Sequence, residues 1–298
     1  MVSVIVPATT ANLGPGFDTL GMALEIHNVI EMSEAPSGLE VETSGQGGEI
    51  LARPENNLAY QAAQVLFDRV GIRPKGLRIR QEINIPLARG LGSSAAAIVG
   101  GLVAANALTG GLLGQQDLLR LAVEMEGHPD NVTPALVGGF TVACMHEGEP
   151  LFVKIDPPAG LEAVVAIPHI PLSTKEARKV LPSEVNLGDA VFNLSRASLL
   201  VAALSVGRTD LLVAATQDRW HQPYREPLVP GLRAVFQAAL EAGARGVALS
   251  GSGPSVIALV ERGAEQVGRA MEGAFQWHGC EATCVATRIA KEGARVIG

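Results

Sequence analysis

The feature that most restricts what this chain can fold into is the run Pro86-Leu-Ala-Arg-Gly-Leu-Gly-Ser-Ser-Ala-Ala96. A β-patterned segment, Leu77 to Ile85, leads into it, and an apolar segment, Ala95 to Leu108, leads out as a helix. Gly90 and Gly92 carry no Cβ, so the backbone N–H groups of the run can approach an anion closely. Ser93 and Ser94 fall where the helix begins. There, unpaired amides, a hydroxyl and the positive end of the helix dipole converge on one spot. The arrangement suits a polyphosphate, although a glycine- and serine-rich helix start without any ligand fits the same residues.

Two better-known phosphate loops do not fit. Gly90-x-Gly92-x-x-Ala95 has the outline of the dinucleotide fingerprint, but that motif wants a tight strand-turn-helix and an acid roughly 20 residues on. Here Pro86 to Gly90 lengthen the loop, and the later region reads Gly111-Leu-Leu-Gly114 with no acid at a strand end. A Walker A loop needs Gly-Lys-Ser/Thr, a tripeptide found nowhere in the chain.

The rest of the sequence divides in two. In the first half, Val2 to Val6 reads as a short strand ending at Pro7, followed by a Gly-rich loop from Thr9 to Gly21. Asn28 to Met32 and Leu39 to Thr43 read as further strands. Asn57 caps a helix through Leu58, Ala62, Val65 and Leu66 that closes at Gly71. Asp117 opens a helix, Leu118 to Glu126, ended by Gly127, and Gly138 to Cys144 reads as a strand. In the second half, Ala163 to Ile167 is a strand, and Ser173-x-x-Glu176 is a capping box for a short helix stopped by Pro182. Helices follow over Asp189 to Val206 and Thr209 to Trp220. Then come a helix (Leu232 to Glu241), two strands (Gly246 to Ser250, Ser255 to Glu261), a helix (Glu265 to Trp277) and a last strand. That β–α–β–β–α–β order predicts a ferredoxin-like half. The fold class is thus α+β, with an N-terminal mixed α/β domain and a C-terminal ferredoxin-like α/β sandwich. The Pro/Gly cluster between Glu147 and Gly160 marks the boundary, giving domains 1–155 and 156–298.

Charge and composition exclude several functions. A net charge of −7 argues against a nucleic-acid surface, which needs a basic footprint. The N-terminus lacks the basic and apolar regions of a signal peptide, and the apolar run Ala95 to Leu108 is interrupted by Gly100, Gly101 and Asn106 and falls short of a membrane span. A cytoplasmic protein is expected. Cys144, Cys280 and Cys284 form neither a disulfide framework nor a standard zinc pattern.

Two more Gly-rich loops stand beside strands: Pro7-Ala-Thr-Thr-Ala-Asn12-Leu-Gly14-Pro-Gly16-Phe-Asp18-Thr-Leu-Gly21, and Leu249-Ser-Gly251-Ser-Gly253-Pro-Ser255. The second, taken alone, fits a tight turn equally well. Three such loops, each at a strand end, read as walls of one site. With these residues the chain resembles the GHMP small-molecule kinases. Pro86 to Ala96 fits that superfamily's P-x-x-x-G-L-G-S-S-A-A pattern at every fixed position, and Gly251-Ser-Gly253-Pro254 fits its C-terminal glycine motif. Within the superfamily, Asn12, Gly14, Gly16, Phe17 and Asp18 resemble the homoserine kinase version, as does His128-Pro-Asp130-Asn131-Val-x-Pro134-Ala-x-x-Gly138-Gly.

The resemblance implies an ATP-dependent kinase making O-phospho-L-homoserine from L-homoserine on the route to threonine, with ATP and Mg2+ as cofactors. By the same resemblance, Pro86, Leu87, Ala88, Arg89, Gly90, Leu91, Gly92, Ser93, Ser94, Ala95 and Ala96 hold the ATP phosphates, and Ser94 with Glu124 holds the metal. Glu126 lies two residues beyond Glu124. Arg178 and Arg225 are implied to bind the substrate carboxylate, a task for which a planar guanidinium is suited. Thr174 and His128 are implied polar contacts to substrate, and Asn57 an adenine contact, although an N-cap explains Asn57 equally. The mevalonate kinase branch pairs a catalytic aspartate with a lysine in the first Gly-rich loop. Here Thr9 to Gly21 holds no lysine, and without a nearby cation an aspartate is a weaker candidate for catalytic base at neutral pH. Asp18 and Asn12 are therefore expected to orient the substrate, with Arg178, in catalysis. Family members are often homodimers. A kinase for another small alcohol, mevalonate-like or a sugar, and a non-catalytic sensor of the same fold remain as alternatives.

Overall fold

The computed structural model describes residues 1–47 and 51–298. Two sheets organise it. The first is built on a hairpin of two long strands, β1 (Val2–Asn12) and β2 (Gly16–Ala35). The predicted loop from Thr9 to Gly21 is therefore mostly strand, and only Leu13 to Pro15 turn the chain. The strand survives Pro7 because that residue sits at a bulge: Pro7 pairs with His27 but Ala8 with Leu24. A proline, with no N–H to donate, is tolerated there.

Beyond the hairpin come β3 (Gly38–Gly45), helix α1 (Leu58–Val70) and β4 (Gly76–Ile83). β3 pairs parallel with β4, the helix making the crossover. Asn57 accepts from the Tyr60 amide and Gly71 ends the helix in the left-handed region, as the sequence predicted. After the cradle come α2 (Ser93–Leu108), α3 (Gln115–Glu126), α4 (Pro129–Val137), β5 (Phe140–His146) and β6 (Glu149–Ile155). The lower half of β2 pairs with β5 and the upper half with β4. Neither α4 nor β6 was expected. Pro129 and Pro134 disguise α4, although a proline at the first helical position is favourable, and the Pro/Gly-rich stretch read as a boundary contains β6. Helix α2 is apolar all round because it lies within the core. A Cβ on Gly101 would stand 2.5 Å from the Ala59 carbonyl oxygen, so α1 and α2 touch through backbone.

The second sheet has strand order β10–β7–β9–β8, formed by β7 (Glu162–Pro168), β8 (Gly246–Leu249), β9 (Val256–Val260) and β10 (Ala282–Arg288). In order of appearance that is 4–1–3–2, the ferredoxin-like arrangement. Between β7 and β8 lie α5 (Thr174–Lys179), α6 (Leu187–Val206), α7 (Leu212–Ala215), α8 (Gln222–Arg225) and α9 (Leu232–Glu241), and α10 (Ala264–Trp277) precedes β10. The capping box at Ser173 and Glu176 is formed in full. Val164, Ala166, Val256 and Val260 pack with residues of α9 and α10, whereas Ala163, Val165, Ile257 and Leu259 join the core that contains Leu200, Ala203 and Leu204 of α6. Burial on both faces explains why these strands read as unbroken apolar runs. The predicted helix Thr209 to Trp220 is only α7 with a 3-10 turn before it. It stops because the Asp218 carboxylate accepts from the amides of Trp220, His221 and Gln222 and starts a new turn. Finally β11 (Arg295–Val296) returns to the first sheet and pairs with β1.

Candidate active site

The three Gly-rich segments meet. The Gly251 amide donates to the Ala11 carbonyl at 3.0 Å, and Ser250 Oγ donates to the Gly90 carbonyl at 2.6 Å. Gly90 has a φ of +71°, and a Cβ there would lie 2.2 Å from the Ser250 carbonyl oxygen. The entry to the cradle is set by Asn28, buried in β2, whose Oδ1 accepts from the amides of Asn84 and Ile85 at 2.8 and 2.9 Å. Gly92, N-cap of α2 with a φ of +66°, receives no side-chain cap. Its missing Cβ leaves room for the Thr9 hydroxyl, which a Cβ would approach to 1.9 Å.

These segments line a cleft of about 270 Å³. From the cradle, Pro86, Ala88, Arg89, Gly90, Leu91, Gly92, Ser93 and Ser94 face it; Leu87, Ala95 and Ala96 do not. Ala95 and Ala96 are wholly buried beneath it, where they let the first turn of α2 pack tightly. The other predicted residues in the cleft are Asn12, Asp18, His128, Thr174, Arg178 and Arg225.

Glu124 is not among them. It is exposed on α3, near Arg120, whereas Ser94 Oγ donates to Glu126 Oε2 at 2.6 Å. The expected pairing of Ser94 with Glu124 is thus replaced by one with Glu126. A helix turns through about 100° per residue, so a step of two residues carries a side chain to the opposite side.

Asp18 also differs from expectation. Its oxygens accept from Arg178 Nη1 and Nη2 at 2.9 and 2.6 Å, a two-pronged pair joining residues 160 apart. The cation missing from the first loop comes from α5 instead. The bond to Asp18, outweighing burial, raises the Arg178 pKa above its ordinary value. Asn12 and Asp18 both occupy left-handed backbone, with φ of 68° and 54°. Asn12 Oδ1 accepts from the Asp18 amide at 3.0 Å and its Nδ2 donates to the Gly251 carbonyl at 2.8 Å, so one amide ties two loops together.

Arg225 is 1% exposed. Its Nε donates to the Ala177 carbonyl at 3.2 Å and its Nη1 to the Gly251 carbonyl at 3.2 Å. Burial, and then the like charge of Arg178, pushes its pKa down to about 10, which leaves it protonated at neutral pH. Phe17 lies 5.3 and 5.5 Å from the guanidinium carbons of Arg178 and Arg225, within cation–π range of both. His128 Nδ1 meets Asp130 Oδ1 at 2.5 Å. Burial lowers the His128 pKa, but the Asp130 bond and charge outweigh it and the net shift is upward. One oxygen or nitrogen from each of Asp18, His128 and Asp130 lies within 4.8 Å of the others. In the sequence Asp130, 2% exposed, stood only within the quoted His128–Gly138 motif, Glu126 only as the neighbour of Glu124 and Ser173 only as a helix cap, and Leu172 was not named. An acid locked between His128 and Asn131 at a helix start was the signal for Asp130.

A cradle of open amides beside paired arginines, set between a ferredoxin-like sheet and a mixed sheet, defines a small-molecule kinase of the GHMP class. The family models described as GHMP kinases N terminal domain and GHMP kinases C terminal match residues 57–139 and 200–276. A curated homoserine kinase of Symbiobacterium thermophilum is 59% identical over 309 residues, covering 100% of this chain and 95% of that protein. A crystal structure of homoserine kinase from Cytophaga hutchinsonii superimposes with a TM-score of 0.89 at 34% identity, covering 99% of this chain and 97% of the other. A mevalonate kinase structure, 16% identical, covering 98% of this chain and all of that one, shares the fold with a TM-score of 0.74. The chain belongs to the homoserine kinase family of the GHMP kinases.

Proposed function

We propose that the protein transfers the γ-phosphoryl group of ATP to the side-chain hydroxyl of L-homoserine, giving O-phospho-L-homoserine and ADP on the route to threonine. The observation that carries this reading is the presence of Arg178 and Arg225, both against Phe17, in the same cleft as the Pro86–Ala96 cradle. With Arg178 held by Asp18, Arg225 is the cation left for a substrate carboxylate, which a sugar or simple alcohol lacks and an amino acid has.

In this reading residues 1–155 carry the phosphate cradle and 156–298 supply the arginines. The uncapped first turn of α2 offers its amides to the phosphates. Ser94 and Glu126 present two hard oxygen donors 2.6 Å apart, a set that fits Mg2+. When bound, that ion neutralises phosphate charge. Arg225, rigid and still cationic, meets the substrate carboxylate, and Asp18 with Asp130 forms an acidic corner for the ammonium group. Thr174, 3.4 Å from the Ser252 hydroxyl, adds a polar contact at the rim. Both oxygens of Asp18 are engaged by Arg178, which supports a positioning role rather than proton abstraction, the hydroxyl proton then passing to an oxygen of the γ-phosphate. Acceleration then comes from holding the hydroxyl in line with the phosphate and from charge stabilisation by the cradle. We also propose a cytoplasmic homodimer that engages neither nucleic acid nor membrane, the net charge of −7 supporting the former exclusion.

The test is Mg2+-dependent ADP release from ATP with L-homoserine offered beside mevalonate, galactose and L-serine. Turnover confined to homoserine is expected, with Arg225→Ala raising its KM by roughly ten- to hundredfold, the worth of a charged hydrogen bond. Turnover only on another alcohol overturns the substrate and leaves the cradle. Binding of ATP with no ADP release on any alcohol overturns catalysis in favour of a sensor.

A further inference from the structure

Arg225 does not stand alone. Its Nη1 lies 3.1 Å from Nδ1 of His221, a residue 1% exposed that is not part of the cleft wall. On the other side of the ring, His221 Nε2 lies 2.7 Å from the Gly14 carbonyl oxygen. A carbonyl only accepts and a guanidinium only donates, so Nε2 carries the proton and Nδ1 holds a lone pair toward Arg225. The imidazole is therefore neutral and bridges the turn after β1 to the arginine. Its ring also lies 5.4 Å from Phe17, the aromatic that both arginines approach. The backbone amide of His221 is in turn held by Asp218, so the ring is fixed from its own main chain as well.

With Nε and Nη1 engaged on the protein, Nη2 is the arginine nitrogen with no protein partner among the described residues. We propose that His221 is a positioning residue for substrate specificity: as a neutral acceptor it fixes the rotation of Arg225 so that Nη2 faces the cleft, and it makes carboxylate recognition depend on the turn at Gly14. The inference rests on the homoserine reading above. It assigns His221 no contact with substrate or phosphate.

Steady-state kinetics on the intact protein tests it, varying L-homoserine and ATP separately for wild type, His221→Leu, His221→Asn and His221→Gln. An asparagine Oδ1 takes the place of Nδ1 and keeps the acceptor for Arg225; a glutamine amide takes the place of Nε2 and keeps only the bond to Gly14. His221→Leu is expected to raise the homoserine KM at least tenfold, with the ATP KM within twofold of wild type and kcat within fivefold. His221→Asn is expected to return the homoserine KM to within threefold of wild type, and His221→Gln is not. An unshifted homoserine KM in His221→Leu overturns the proposal. So do equal losses in all three variants, or a parallel rise in the ATP KM, either of which marks a packing role. If His221→Leu fails to fold, the contrast between Asn and Gln decides alone, equal values overturning the proposal. Wild-type protein inactive on homoserine overturns the substrate reading first, and this inference with it; active wild type with unshifted variants overturns the inference alone.

Discussion

Glu124 and Glu126 differ by two positions and by everything that matters to a metal. Glu126 shares a hydrogen bond with Ser94, and Glu124 faces solvent. Glu126→Gln is expected to raise the Mg2+ concentration for half-maximal rate at least tenfold and to lower kcat, while Glu124→Gln stays within twofold of wild type; Mg2+ titrations at fixed ATP check both. His128 gives a pH dependence whose sign follows from its environment. Its pKa is raised in the fold, so the folded state holds the proton more tightly than the unfolded chain. The resulting stabilisation is fully present below the ordinary histidine value of about 6.5 and is lost as pH rises through the higher folded value. Thermal melts of wild type and His128→Asn at pH 6 and pH 8.5 should show the larger gap at pH 6.

At the scale of elements, what the sequence revealed was local. The Asn57 cap and the Ser173–Glu176 box close within three residues, so the residues that make them stand side by side in the chain. The cradle was readable for the same reason. The break after α7 was not, because Asp218 reaches forward to three amides and across to Asn193 Nδ2 at 2.6 Å, and that last contact, with the Arg219 amide donating to Asn193 Oδ1 at 2.9 Å, ties the turn to α6. Its side chain is fully buried. Asp218→Ala leaves those donors without an acceptor and should cost about 3 kcal/mol, read as a fall in the urea midpoint. Strand β6 escaped notice because Pro150 and the Gly148 turn resemble a linker. Its seven residue pairs with β5 supply what composition concealed.

At the scale of the whole molecule, the cleft exists only where two sheets dock. Asp18 meets Arg178 and Gly90 meets Ser250, each across 160 residues, and no local pattern announces such pairs. Motif resemblance named many of the residues on both walls but could not say which touched. Gly90→Ala tests the docking directly: its Cβ collides with the backbone of the opposite loop. Homoserine-dependent kcat/KM should fall by at least a hundredfold, while far-ultraviolet circular dichroism stays at the wild-type signal.

The return of β11 to β1 has its own outcome. The Ser3 amide donates to the Gly298 carbonyl at 2.8 Å, and the Ile297 amide to the Ser3 carbonyl at 2.8 Å. Residues 3 and 297–298 are thus neighbours on one edge of the sheet, and the path of the backbone between them is nearly a ring. A ring has no privileged starting point. In a variant of residues 3–298, a short peptide joining residue 298 to residue 3, with the backbone opened in the exposed Glu147–Gly148 turn, would leave every wall of the cleft in place while reversing the order in which its parts are synthesised.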